Sequence, residues 1–148
     1  MSEVYLGNPN LKKANTSIEF TEDNIREFMK CKQDPVYFAN NYIKIVSLDE
    51  GLTQFHPYHF QEKLINNFHG NRFNICKMPR QTGKSTTVVS YLLHYAVFND
   101  SVNIGILANK AATARELLGR LQTAYENLPK WMQQGIISWN KGSLELEN

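Results

Sequence analysis

The run Met78-Pro79-Arg80-Gln81-Thr82-Gly83-Lys84-Ser85-Thr86 decides how the rest of this chain is read. Arg72–Met78, just before it, predicts a short strand that Pro79–Gly83 cannot continue. A helix of about fifteen residues is expected from Lys84, through Leu92 and Leu93 to Phe98. A loop that leads from a strand onto a helix N-terminus aims unpaired N–H groups and the positive end of the helix dipole at one spot, which suits a phosphate. Gly83 keeps that approach free of a side chain. Lys84 is placed to reach the β- and γ-phosphates and Ser85 to bind Mg²⁺ through its hydroxyl. Gln81, Thr82 and Thr86 complete the lining. Met78 stands where the usual pattern has its first glycine, so the bare motif is incomplete. Taken alone, Gly-Lys-Ser-Thr reads as a helix start with a solvated lysine, and the flanking strand and helix favour a nucleotide. Arg80, inside the loop, is suited to stabilise charge growing on a γ-phosphate. Gln61 upstream offers an amide to an adenine edge, although taken alone it reads as a solvent-facing helix residue.

Downstream, Ser101–Ala108 reads as a buried strand, with Val102, Ile104, Ile106 and Leu107. Asn109 is expected to cap a long helix whose apolar face is Ala114, Leu117, Leu118, Leu121, Ala124, Tyr125 and Leu128, ended by Pro129. Ile136–Trp139 and Ser143–Glu147 around Asn140-Lys141-Gly142 predict a β-hairpin. Upstream, Thr21 with Glu22 and Asp23 signals a helix start, and Ile25, Phe28 and Met29 supply a face. Asp34-Pro35 repeats the signal, with Val36, Ala39, Ile43 and Val46 at helical spacing. Residues 48–55 read as a loop around Gly51. A helix follows from Pro57 to about His69, carrying Phe60, Leu64 and Phe68 and stopped by Gly70. Strand, helix, strand, helix after residue 70 is the signature of an α/β fold with a parallel sheet, preceded over residues 1–70 by a small helical layer.

The chain has 148 residues, 42% hydrophobic and 20% charged. That is the make-up of about one globular domain and excludes collagen, coiled coil and disorder. No stretch has the ~18 consecutive apolar residues of a membrane helix, and Met1–Tyr5 has no leader character. Cys31 and Cys76 are too few for a disulfide scaffold, fit a reducing compartment, and are expected in a core. The net charge of +2 says little, but from Lys63 to Asn99 there are five basic residues and no acid. Such a span sits comfortably beside a polyanion. His56, His59, His69 and His94 lack zinc-like spacing and read as ordinary helix or loop residues. Trp131 and Trp139 read as packing residues, and Lys12 and Lys13 as a solvated face.

Several runs resemble the large terminase subunit of contractile-tailed, myovirus-type bacteriophages, the ATPase and nuclease that packages DNA. They are Pro9-Asn10-Leu11-Lys12-Lys13-Ala14-Asn15, Asp34-Pro35-Val36-Tyr37-Phe38-Ala39, Arg80-Gln81-Thr82-Gly83-Lys84-Ser85 and Trp139-Asn140-Lys141-Gly142-Ser143-Leu144-Glu145-Leu146. The family is known for a phosphate loop that lacks the first glycine and carries a basic residue, so the resemblance makes Arg80 an arginine finger acting in cis. It places Phe60-Gln61 where the family has an adenine-contacting aromatic–glutamine pair, usually with tyrosine as the aromatic. It implies a RecA-like P-loop ATPase using ATP and Mg²⁺, with Arg80 and Lys84 as its catalytic residues here, and an RNase H-like, two-metal nuclease further along. It also implies double-stranded viral DNA, the portal protein and a small terminase subunit as partners, a homo-oligomeric ring, and no membrane. The place of action would be the host bacterial cytoplasm, transiently the portal vertex of the procapsid.

The family's Walker B aspartate and the adjacent catalytic glutamate follow a strand of apolar residues. Of the acids after Lys84 (Asp100, Glu116, Glu126, Glu145 and Glu147), none follows such a strand. The expectation is therefore an incomplete RecA-like domain, residues 71–148 forming the first half of its core and ending before Walker B. Such a fragment should be poorly folded or oligomeric and should not hydrolyse ATP. A helicase or other translocase of the same superfamily, and an inactive module holding nucleotide or DNA with Lys77, Arg80 and Lys84, are the alternatives.

Overall fold

The computed structural model describes residues 3–47 and 49–148. Thr21 opens the first helix as its residue type suggests. Its Oγ1 accepts the Asn24 N–H at 3.2 Å, while Asn24 Oδ1 accepts the Thr21 N–H at 3.2 Å. Helix α1, Glu22–Gln33, carries Glu22 and Asp23 in its first turn and Lys30 and Lys32 in its last, each matched to the nearby end of the dipole. Asp34 Oδ1 then accepts the N–H groups of Val36 and Tyr37 at 3.0 and 2.9 Å, and Pro35 starts α2, Pro35–Tyr42.

The helical spacing expected to run on to Val46 stops at Tyr42. Ile43 is extended (φ −82°, ψ 123°) and leads into β1, Lys44–Ser47, which pairs antiparallel with β2, Gly51–Gln54. The expected loop over 48–55 is thus largely a returning strand, with Leu48 outside the described residues. β-branched Ile45 and Val46 favour the pleated backbone, and Gly51 takes the left-handed conformation at φ +69° that the turn needs.

Helix α3 spans His59–Gly70, α4 Lys84–Phe98 and α5 Ala111–Glu126. Lys110, not Asn109, stands at the N-cap of α5, without a side-chain bond, because its extended φ of −135° leaves Asn109 outside the cap position. The expected C-terminal hairpin forms from β3, Ile136–Trp139, and β4, Leu144–Leu146. Trp139 lies opposite Leu144, and Asn140 Oδ1 accepts the N–H groups of Gly142 and Ser143 at 2.8 and 2.9 Å.

The two strands expected on either side of α4 are not strands. Residues 73–78 and 102–108 have no regular secondary structure and no ladder partner among the described residues, and Arg72 stands at a bend. The local pattern of the second segment is strand-like: Val102, Ile104 and Ile106 are half-buried, whereas Asn103, Gly105 and Leu107 are exposed. A strand also needs a neighbour, and neither segment has one among the described residues. Phe73 and Ile75 are consequently exposed, at 83% and 101%. The fold is therefore mixed helix and strand with two small antiparallel sheets, β1–β2 and β3–β4, and no parallel sheet among the described residues. No described helix is long and apolar enough to cross a membrane.

One core joins the helices before residue 70 to those after it. Phe38, Ile43 and Ile65 pack with Leu93, Val97, Phe98, Tyr125 and Ile136 in a common cluster. Burial of side chains of this size stabilises by about 1.5–3 kcal/mol each. Cys31 is fully buried in this cluster as expected, but Cys76 is only half-buried because its segment lies outside the core. Trp131 and Trp139 pack against it, beside Tyr42 and Tyr125 at centroid distances of 6.0 and 5.9 Å.

His94 is no ordinary surface residue. It is 2% exposed, between Phe38 and Phe98, and its Nε2 donates to the Cys31 carbonyl at 2.8 Å. A carbonyl only accepts, so Nε2 carries the proton. Nδ1 is left buried without a hydrogen-bond partner, as is Ser90 Oγ one turn earlier.

The N-terminal segment lies across the base of the C-terminal hairpin. Ile136 N–H donates to the Lys12 carbonyl at 2.9 Å and Ala14 N–H to the Ile136 carbonyl at 3.2 Å. Lys12 is consequently buried and paired with Glu147 at 3.5 Å, which corrects its reading as a solvated residue; Lys13 next to it is exposed. Gln133, buried at 3%, accepts the Lys12 N–H at 3.0 Å and donates to the carbonyls of Asn10 and Leu128 at 2.8 and 2.9 Å.

Candidate phosphate-binding site

Helix α4 begins without a side-chain cap, unlike α1 and α2. Its N-cap is Gly83, in the left-handed region at φ +71°, and no acid lies in its first turn. The first helical backbone bond there runs from Thr87 N–H to the Gly83 carbonyl at 3.0 Å, and Thr87 Oγ1 donates to the same oxygen at 2.9 Å. The N–H groups of Lys84, Ser85 and Thr86 are the orphan donors of the helix start, and no described side chain accepts from them.

The loop that delivers the chain to this point is held from two sides. Thr82 Oγ1 donates to the Pro79 carbonyl at 3.1 Å. Gln61 on α3 donates through Nε2 to the Thr82 carbonyl at 3.3 Å and accepts the Tyr58 N–H on Oε1 at 2.8 Å. The same amide thus closes the start of α3 and supports the loop. A Cβ on Gly83 would stand 2.5 Å from Gln61 Nε2 and push that amide aside, and the φ itself favours glycine. Gln81, two residues earlier, is also left-handed at φ +61°, which turns the chain sharply on either side of Thr82.

The residues singled out from the sequence fall into three groups. Gln61, Thr82 and Gly83 are brought together and form the frame. Gln61 is 3% exposed, which overturns its reading as a solvent-facing residue: its amide holds two backbone partners that lie far apart in sequence. Lys84 and Thr86 are half-buried at the helix start, while Arg80, Gln81 and Ser85 are exposed. Neither Arg80 nor Lys84 has a carboxylate within ion-pair distance among the described residues. Phe60, 44% exposed, stacks on Tyr58 with ring centroids 5.9 Å apart and planes 11° from parallel. No hydrogen bond or ion pair links Phe60 to the loop. Sequence reasoning missed Tyr58; an aromatic two residues before Phe60 at the start of a helix was its signal.

Two bare cations and a row of orphan N–H groups around a glycine suit an anion with several oxygens. Among the described residues no group of three His, Cys, Asp or Glu is placed to hold a metal ion. No protein-family model matches the chain.

Proposed function

We propose that this chain binds ATP with Mg²⁺ on the loop Pro79–Thr86, as the N-terminal part of a DNA-translocating motor of the large-terminase type. The observation that carries the nucleotide reading is the uncapped start of α4. Gly83 is left-handed there, and Arg80 and Lys84 are unpaired among the described residues. In this reading the orphan N–H groups and Lys84 cradle the phosphates, and Ser85 ligates the Mg²⁺ that neutralises them. Arg80 lies beside the γ-phosphate, and the exposed Phe60 ring contacts adenine. Gln61 keeps one amide hydrogen and one lone pair for a base, with its other two positions engaged by the loop and the start of α3.

The motor reading rests on the terminase-like runs. The segments on both sides of α4, unpaired among the described residues, support an incomplete RecA-like sheet. The proposal then includes double-stranded viral DNA, the portal protein and a small terminase subunit as partners. It includes assembly into a ring and action in the host cytoplasm and at the portal vertex. Mg²⁺-dependent binding of a fluorescent ATP analogue tests the nucleotide part. Binding is expected for the native chain and lost in Lys84→Ala, whose charge-assisted bonds are worth about 1.5–3 kcal/mol each. Equal binding by both would overturn it. The motor part predicts no ATP turnover by this chain alone, and robust turnover would refute its reading as an incomplete ATPase.

A further inference from the structure

A groove of about 580 Å³ lies between the segment after α4, helix α5 and the C-terminal hairpin. Val102, Ile104, Ile106, Leu118, Leu144 and Leu146 supply its apolar lining, beside the polar Asn103, Arg115 and Glu145. Among the described residues, segment 102–108 has no ladder partner, and β4 pairs on one edge with β3 alone. An apolar lining between two lengths of chain with free hydrogen-bonding edges matches one more strand.

The molecule itself exposes a segment of that kind. Residues 73–78 form no helix and no ladder among the described residues, and the Phe73 and Ile75 side chains lie almost wholly in solvent. We infer that residues 72–77 of a second copy of this chain dock in the groove as an added strand. Phe73 and Ile75 of the second copy settle onto α5, and its backbone pairs with 102–106 and with the free edge of β4. Alternation then turns Arg72 to the outer face, on the same side as Glu145, the exposed acid of β4. Arg72 has no carboxylate partner in the monomer among the described residues; its guanidinium lies 5.2 Å from the centre of the Phe73 ring. Donor segment and groove are different surfaces, so the contact is head-to-tail and each added copy presents a new free groove. The inference needs no nucleotide and does not rest on the function proposed above.

The test is sedimentation of the native chain over a wide concentration series, with a peptide of residues 71–79 as probe. Expected are concentration-dependent association and its suppression by the peptide. Peptide-induced amide shifts should concentrate on 102–106, the groove side of α5 and Leu144–Leu146. Ile75→Asp, at a fully exposed site, should leave the fold intact by circular dichroism and reduce association at least tenfold. Arg72→Glu should weaken association, and adding Glu145→Arg to it should restore most of the loss. A chain that stays monomeric throughout, association unaffected by Ile75→Asp, or peptide shifts elsewhere would each overturn the inference. A strand that binds this groove only from a different polypeptide would show itself by the first of these.

Discussion

Lowering the pH puts a direct load on His94. The ring is 2% exposed and its Nδ1 has no hydrogen-bond partner, so a second proton would place an unsolvated charge inside the core. Burial pushes its pKa from 6.5 down to about 4, against the Cys31 carbonyl, which favours the charged ring. The titratable or charged groups facing it are His69 from α3, at 5.8 Å between rings, Tyr91 from α4, Cys31 from α1, and Asp34 between α1 and α2. His69 pushes the same way as burial and Asp34 the opposite way, and neither outweighs burial. The unfolded chain takes up the proton near pH 6.5 and the folded one only near pH 4. Stability is therefore highest above pH 6.5 and is lost as the pH falls through this window. A drop from 6.5 to about 4 corresponds to about 3 kcal/mol in all, of which about 2 kcal/mol falls between pH 7 and pH 5. Urea unfolding followed by circular dichroism at half-unit pH steps measures it. His94→Leu should begin less stable at pH 7, since the Cys31 carbonyl loses its donor, but its stability should be nearly flat from pH 7 to pH 5. A native chain with a flat profile over that range, or a variant as steep as the native chain, would refute the reasoning.

Gly83→Ala should cost about 1–2 kcal/mol of stability from its left-handed backbone alone and weaken nucleotide binding more than tenfold, since the new methyl group displaces the Gln61 amide. Thermal melts and analogue titration check the two parts. Glu147 is pushed up by partial burial but held below the usual carboxylate range by the N–H groups of Asn15 and Gly135 and by Lys12. Its stabilisation should be present near neutral pH and fade as the pH falls through that lowered value. Glu147→Gln should cost about 1–3 kcal/mol and increase amide exchange in residues 11–15. Glu27 accepts the hydroxyls of Tyr37 and Tyr42 at 2.7 and 2.9 Å, so Tyr42→Phe should cost about 1 kcal/mol in denaturant unfolding.

What was legible in the sequence was short-range. Thr21 and Asp34 announce two helix starts because each accepts N–H groups two or three residues away, and Pro35 because its fixed φ suits the first helical position. The 136–146 hairpin was legible for a similar reason, its turn being closed by Asn140 on Gly142 and Ser143. The β1–β2 hairpin was hidden by Ile43 and Val46, which continue the helical spacing of Val36 and Ala39 although the backbone turns extended at Ile43. Segment 102–107 alternates half-buried and exposed residues, yet a ladder depends on a second segment that no local pattern reports. Of the candidate site, the loop and its glycine were legible from residue type alone. The job of Gln61 was not, because it joins Tyr58, the N-cap of α3, to Thr82 across the site. Lys12 and Gln133, 121 residues apart, show the same limit at its extreme.

That last pairing sets an order of events during synthesis. A chain emerges in N-to-C order, and Lys12, buried in the finished fold, is bonded to Gln133, made 121 residues later. At translation rates of about 5–20 residues per second, the segment waits on the order of ten seconds for its berth on β3. Throughout that interval Leu11 and the backbone of residues 12–14 are open to whatever else binds nascent chains. Residues 11–14 are thus made well before the strand that receives them.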